Sequence, residues 1–207
     1  MLRFIHGSEL AAFPRLRETM FRDRAAQFRD RLGWAVTVDA AGWERDEYDR
    51  LDPLYVIWEG ADGRHGGSMR FLPTTGRTML AEHFAELLEG RRLADPRIWE
   101  CTRFCLSVDA PPGVSAALML GGAQVGTAFG LTHAAGVFDA RMIRIYGLLG
   151  WPPEIVGSRG SGAGRISLGL WAFSDRIRLA MAARAGLSDE LVRHWFLRSR
   201  PGIARAA

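Results

Sequence analysis

Glu44, Asp46 and Asp49 place three carboxylates, with Glu47 a fourth between them, in the six-residue run Glu44-Arg45-Asp46-Glu47-Tyr48-Asp49. Just upstream lie Arg24, Phe28, Arg31 and Trp34. Arg24 and Phe28 stand four apart, so a helix would turn both to the same side. Singly, each residue reads as ordinary: a snorkelling Arg, a core aromatic, solvated loop charges. Together they suit a cation. Carboxylates beside a flat aromatic surface hold one by Coulomb attraction and cation–π contact, and arginines keep those carboxylates ionised. An amine that must lose a proton fits the same surroundings.

Two later segments supply parts of the same kind. Arg70, in Met69-Arg70-Phe71-Leu72-Pro73-Thr74, falls at a strand end, where side chains reach clefts. Glu100 and Arg103, in Trp99-Glu100-Cys101-Thr102-Arg103-Phe104, fall in an expected central strand. Buried charges there are costly unless paired, so they mark either a structural ion pair or a working site.

The elements that must position these residues alternate in type. Residues 2–6 read as a strand, and apolar positions from Leu10 to Leu32 recur at helical spacing, where Pro14 either breaks or starts a helix, so that two short helices fit. Residues 34–38 and 54–59 read as strands around a loop carrying the acidic run. Asp62-Gly63 turns the chain into a strand over Gly67–Leu72. A helix over Met79–Leu88, a strand over Trp99–Val108 and a glycine-rich helix from Pro111 to about Leu131 follow. Strand 133–138, helix 139–149, strands at Ile155–Val156 and Ile166–Phe173, and helices 174–186 and 188–197 complete the chain, the last capped by Ser188. This alternation predicts an α/β sandwich with a mixed sheet, and 207 residues without repeats or a long linker predict one domain over 1–207.

Composition narrows the function. All 27 basic residues are Arg, which excludes Schiff-base lysine chemistry and a P-loop lysine. Cys101 and Cys105 are too few for a structural zinc site, and no His spacing completes one, so no metal is expected. If both lie on one strand they share a face, too far apart to bridge, as buried free thiols. No apolar run spans a membrane and no secretory leader is evident, so a cytoplasmic location is expected. Residues 139–207 carry 11 Arg against 5 acidic residues, a basic third suited to an acidic protein, a phosphate-bearing ligand or nucleic acid.

The spaced set Arg24, Phe28, Arg31, Trp34, Val36, Glu44, Asp46, Tyr48 and Asp49 resembles the signature of the LuxI-type acyl-homoserine-lactone synthases. Arg70 before Leu72-Pro73-Thr74, Met79-Leu80, Phe84 and Trp99-Glu100-x-x-Arg103-Phe104 match that family in order and spacing. The specific motifs cover about residues 1–150. Asp23 departs from the pattern, which places an apolar or aromatic residue before the Arg.

The resemblance implies a GNAT-like fold, a three-layer sandwich in which a twisted mixed sheet is flanked by helices. It implies two substrates, S-adenosylmethionine and an acyl thioester on acyl carrier protein or coenzyme A, and no further cofactor. Acyl transfer to the amine is followed by lactone closure and loss of methylthioadenosine. Asp46, Asp49, Glu100 and Arg103 become the catalytic candidates, with Asp46 or Glu100 as the base. Arg24, Phe28, Trp34, Arg70, Phe84 and Phe104 become candidates for holding S-adenosylmethionine. Leu118, Met119 and Phe138 are expected in the acyl pocket. Arg141 and Arg144, with Arg165, Arg176 and Arg178, are expected to dock an acidic carrier protein. Some relatives that prefer 3-oxo chains carry Thr near Ala135–Val137; its absence here favours a chain without a 3-oxo group.

Two other readings stay open at this level. A GNAT-type acetyltransferase acting on another amine would show a pyrophosphate loop, of which Gln124-Val125-Gly126-Thr127 is a poor copy. A nucleic-acid-binding regulator could use the basic C-terminal third, and its binding would fall steeply with salt.

Overall fold

The computed structural model describes residues 1–200, and the stretch 201–207 of the expected domain lies outside them. Seven strands form one mixed sheet: β1 (Leu2–His6), β2 (Leu54–Glu59), β3 (His65–Pro73), β4 (Ile98–Leu106), β5 (His133–Asp139), β6 (Glu154–Arg159) and β7 (Ile166–Ala172). Their order is β1-β2-β3-β4-β5-β7-β6. Only β4 and β5 run parallel; every other neighbouring pair is antiparallel.

Helices cover both faces. On one side α1 (Pro14–Ala25) closes a core of Ile5, Leu16, Met20, Phe21, Tyr55 and Ile57. On the other, α3 (Val114–Ala128), α5 (Asp175–Ala185) and α6 (Asp189–Ser199) cover the larger core around Phe4, Val56, Leu118, Val125 and Phe196. α3 is buried all round, which its many small residues permit. A Cβ on Gly121 would sit 2.5 Å from the Val56 side chain, so glycine lets the helix settle onto β2. Pro14 opens α1 rather than breaking it, as expected of a residue with a fixed φ and no N–H to satisfy. α4 (Ala140–Leu149) and α6 start on side-chain caps, Asp139 accepting from Arg141 N–H and Ser188 from Leu191 N–H.

Four local expectations change. Residues 34–38 form no strand; a single bridge joins Val38 to Glu44, and Trp34 to Thr37 instead drape across a cavity mouth. Gly33, at φ +67°, sends the chain out of the preceding helix, whose last turn widens to π geometry over Ala26–Arg31. The helix expected over Met79–Leu88 divides into α2 (Met79–His83) and a 3-10 turn over Ala85–Leu88. The strand expected to reach Val108 ends at Leu106.

The fourth change is in β4. Arg103 sits at φ +56°, and the β3–β4 register shifts between Ser68 and Arg70. Such a bulge exchanges the faces of everything beyond it. Cys101 therefore points with Met69 into the larger core, its Sγ 3.8 Å from the Met69 Sδ, while Cys105 lies on the opposite face near Asp23, Arg24 and Glu44. The two thiols are free but do not share a side. The parallel ladder between β4 and β5 is also short, pairing only Ile98–Glu100 with His133–Ala135. Beyond that point the two strands part and leave a cleft.

Candidate active site

The acidic run folds on its own terms before it meets the rest of the site. Asp46 caps a 3-10 turn over Glu47–Arg50, its Oδ1 accepting from Tyr48 N–H at 3.0 Å and Asp49 N–H at 3.2 Å. Asp49 answers by accepting the Asp46 N–H at 2.9 Å. This reciprocal box turns both carboxylates toward three arginines. Arg24 forks onto Asp49 with two bonds of 3.0 Å and gives its Nε to Glu44 at 2.6 Å. Arg70 donates to Asp46 at 2.5 and 3.0 Å and to Asp49 at 2.7 Å. Arg103 bridges Glu44 at 3.0 Å and Asp46 at 2.8 Å.

Within this lattice the residues differ in what they can do. Arg24 and Arg70 are wholly buried, and with Asp49 they stop short of the cavity wall. They are its backing. Asp49 accepts from Arg24, Arg70, the Asp46 amide and the Tyr55 hydroxyl at 2.5 Å. Burial alone would raise its pKa, but Arg24 and Arg70 outweigh that and hold it far below the usual carboxylate range. Asp49, Arg24 and Arg70, expected to act on the substrate directly, thus stand behind the side chains that line the cavity and hold them in place.

Glu44, Asp46, Glu100 and Arg103 do line the cavity, as do Phe28, Trp34, Phe84 and Phe104. Phe28 and Trp34 stack at 5.1 Å and 8°, and Arg103 lies 5.3 Å from the Phe28 ring centroid. Trp34 stays 42% exposed, leaving that stack open at the mouth. Glu100 stands apart electrically. Among the described residues no guanidinium bonds it; it accepts the Met79 N–H at 3.0 Å and the Leu80 N–H at 2.5 Å, at the start of α2. Burial pushes its pKa up, and those two amide bonds only partly offset the effect. A carboxylate raised in this way takes a proton more readily than one in water.

The cavity extends to about 880 Å³. From the charged floor it passes through the β4–β5 fork into apolar walls that include Met119 and Phe138. Leu118, expected there too, packs in the core against Gly67 instead, because the neighbouring position Met119 faces the opening. Tyr146, Met142, Trp151 and Trp171 complete the apolar end and were not anticipated. They belong to α4, β7 and the turn after α4, so no local motif announces them. Thr102, which accepts from Arg70 Nε at 3.0 Å, and Tyr55 were likewise invisible, since their partners are remote in sequence.

At the rim, Arg141 lines the opening and pairs with Asp139, and Arg144 is exposed on the next turn of α4. Arg165 donates to Ser158, Arg176 is exposed, and Arg178 is committed to Asp175 and Asp189. Asp23, the departure from the expected pattern, holds buried His65 at 2.7 Å and leaves the helix intact. Glu47, Glu82 and His83 bring possible ligand atoms within 4.8 Å of one another, but all three are exposed and Glu82 is already held by Arg77 and Tyr48.

The model of a family described as autoinducer synthase matches residues 12–171. An acyl-homoserine-lactone synthase of Rhizobium etli is 39% identical over 198 residues, covering 92% of this chain and 93% of that protein. In structure, the CoA-dependent acyl-homoserine lactone synthase BjaI, solved with SAM and isopentyl-CoA, superposes with a TM-score of 0.80 at 21% identity, over 90% of each chain. A candidate N-acetyltransferase of Lactobacillus plantarum shares the fold more loosely, with a TM-score of 0.55 at 16% identity, over 84% of this chain and 99% of that one. The mixed sheet split between β4 and β5 is thus GNAT-like, and the chain belongs to the autoinducer synthases, the family of the acyl-homoserine-lactone synthases.

Proposed function

We propose that this protein makes an N-acyl-homoserine lactone, a quorum-sensing signal, from S-adenosylmethionine and an acyl thioester. One observation carries the reading. Glu44, Asp46 and Asp49 pair with three guanidiniums, and Glu100, held by two backbone N–H groups alone, adds a fourth carboxylate, so these seven side chains when ionised hold one negative charge in excess. S-adenosylmethionine, with its sulfonium, ammonium and carboxylate, carries one net positive charge and balances it. The Phe28–Trp34 stack offers the flat surface.

Glu100 takes a proton from the substrate ammonium, directly or through a water, and frees the amine. The amine attacks the thioester carbonyl, whose oxygen is polarised by backbone N–H groups of β4 beyond the fork. The C–S bond breaks, the thiol leaves with a proton, and an amide remains. The methionyl carboxylate then attacks its own γ-carbon, closing the lactone and expelling methylthioadenosine. This second step is intramolecular, so holding the chain folded supplies much of its rate. Asp46 and Arg103, fixed by their neighbours, shape that pocket.

The acyl donor is carried on acyl carrier protein or coenzyme A, and the exposed Arg141 and Arg144 beside the opening suit either an acidic carrier or phosphates. A cytoplasmic location fits these substrates and two unbridged cysteines. Among the described residues no helix is long and apolar enough to cross a membrane. Incubating the purified protein with S-adenosylmethionine and a panel of carrier-linked and CoA-linked donors tests the reading. Lactone and methylthioadenosine should appear in equal amounts by mass spectrometry; folded protein that yields neither with any donor overturns it.

A further inference from the structure

Away from the cavity the chain buries one titratable side chain that the proposed chemistry does not use. His65, the first residue of β3, has a wholly buried imidazole. α1 grips it at two points four residues apart, and therefore from one face of the helix. The Thr19 hydroxyl oxygen accepts the His65 backbone N–H at 2.9 Å, and an Asp23 carboxylate oxygen lies 2.7 Å from Nδ1. The other ring nitrogen, Nε2, is buried with no partner among the described residues. Asp23 is also where the chain departs from the autoinducer-synthase pattern, so the grip belongs to this chain and not to the pattern.

The grip adjoins the floor of the site. Arg24 directly follows Asp23, and its buried guanidinium holds Glu44 and Asp49. The π turn that carries Phe28 begins two residues later, at Ala26. Thr19 and Asp23 thus fix the depth and rotation of the end of α1 on β3.

The protonation state of the pair follows from its surroundings. With Nδ1–H donating to Asp23, the neutral ring leaves only a lone pair unmet on Nε2. A second proton would turn Nε2 into a buried donor with nothing to receive it. Burial pushes the imidazole pKa down and the Arg24 guanidinium adds to this, while Asp23 offsets only part of the shift. The other neighbours bring no spare negative charge. Cys105 on β4 is a thiol pushed up to about 12, Arg64 lies against Asp62, and the cross-strand residue Glu59 is bonded to Arg3 at 2.6 Å.

We propose that Asp23 and His65 are a positioning pair for the S-adenosylmethionine site, seating Arg24 and Phe28 while the imidazole is neutral and loosening that seat in acid. The identity of the ligand rests on the function proposed above; the grip itself does not. Because the folded pKa lies below the unfolded value of about 6.5, the pair's contribution to stability is whole above that pH and is lost as pH falls.

The test compares wild type with His65→Asn, whose side-chain amide donates to Asp23 from the place of Nδ1 and takes up no proton. In denaturant titrations without substrate, between about pH 7.5 and 5.5, the ratio of the wild-type folding constant to the variant's should fall by up to about tenfold per pH unit below about 6.5. Calorimetric titration with S-adenosylmethionine over the same range should show the ratio of wild-type Kd to variant Kd rising several-fold in acid. Glu100 is present in both proteins, so its own titration cancels in each ratio. A stability ratio or a Kd ratio that stays flat with pH overturns the proposal. NMR titration of the His65 ring in the wild type decides the matter if the variant does not fold: a midpoint below about 6.5 supports the pair, and one at or above it overturns it. Failure of both proteins to bind S-adenosylmethionine at any pH is a different result, the failure of the function itself.

Discussion

Asp49 and Glu100 are both buried carboxylates, and their surroundings drive them in opposite directions. Asp49 faces two guanidiniums and is locked as an anion; Glu100 faces two backbone N–H groups and has its pKa raised. Glu100→Gln should therefore lower kcat by roughly 10²–10⁴, and because its one oxygen can accept only one of the two N–H groups at the start of α2 it should also cost about 1–3 kcal/mol of stability. Its signature is in pH: kcat/KM of the wild type should rise with pH as the base ionises, and the variant should lose that limb. Asp49→Ala should act on stability instead. It leaves Arg24 with Glu44 alone and Arg70 with Asp46 alone among the carboxylates, and should cost about 3–5 kcal/mol in denaturant melts. Because the folded pKa of Asp49 is depressed, its contribution is complete above the unfolded value of about 3.9 and is lost as pH falls below it. Acid unfolding of the wild type should start in that range, and a variant with unchanged acid sensitivity would exclude Asp49 as its source. Sequence alone marked both acids as chemical. It could not separate them, because what distinguishes them is Tyr55, Arg70 and the amides of Met79 and Leu80, all distant along the chain.

At the scale of elements, the cavity depends on β4 leaving β5 after three paired residues. Gly136 stands beside that fork, where a Cβ would meet the Cys101 carbonyl at 3.2 Å and Trp171 at 3.1 Å. Gly136→Ala should push the strands apart or tilt Trp171, raising KM for the acyl donor at a stability cost of about 1–3 kcal/mol. An alanine variant with wild-type donor kinetics would show the fork to be more tolerant than its packing implies. Strands, caps and the hairpin at Asp62-Gly63 were legible because their signals are local: alternation, Ser188 at a cap, Gly63 at positive φ. The bulge at Arg103 was not. Arginine carries no preference for φ > 0, so only the tertiary pull of Glu44 and Asp46 holds it there. Residues 34–38 misled for a related reason, their apolar alternation serving a cavity mouth and not a ladder.

Across the whole molecule, charge is divided: an acidic, arginine-braced floor at one end of the cavity and exposed Arg141 and Arg144 near its rim. If the donor is protein-bound, Arg141→Glu with Arg144→Glu should raise its KM several-fold, and added salt should do the same to the wild type. The KM for S-adenosylmethionine should not follow. A carrier-protein KM indifferent to both changes would move docking to another surface. The GNAT-like layering was readable from the order of strands and helices, while the apolar end of the cavity was not, since Met119, Phe138, Tyr146 and Trp171 come from four separate elements.

Cys101 gives this arrangement one more property. Its thiol lines the cavity through which an activated acyl group would pass, and a thiolate there would exchange with the thioester and trap the enzyme as its own acyl adduct. Burial, with the Glu100 charge adding to it, pushes that thiol up to about 12, so at neutral pH it stays protonated. The chain also contains no lysine whose amine could be acylated. The cavity is thereby protected against acylation by its own donor: prolonged exposure to acyl thioester without S-adenosylmethionine should leave Cys101 unmodified in peptide mass maps.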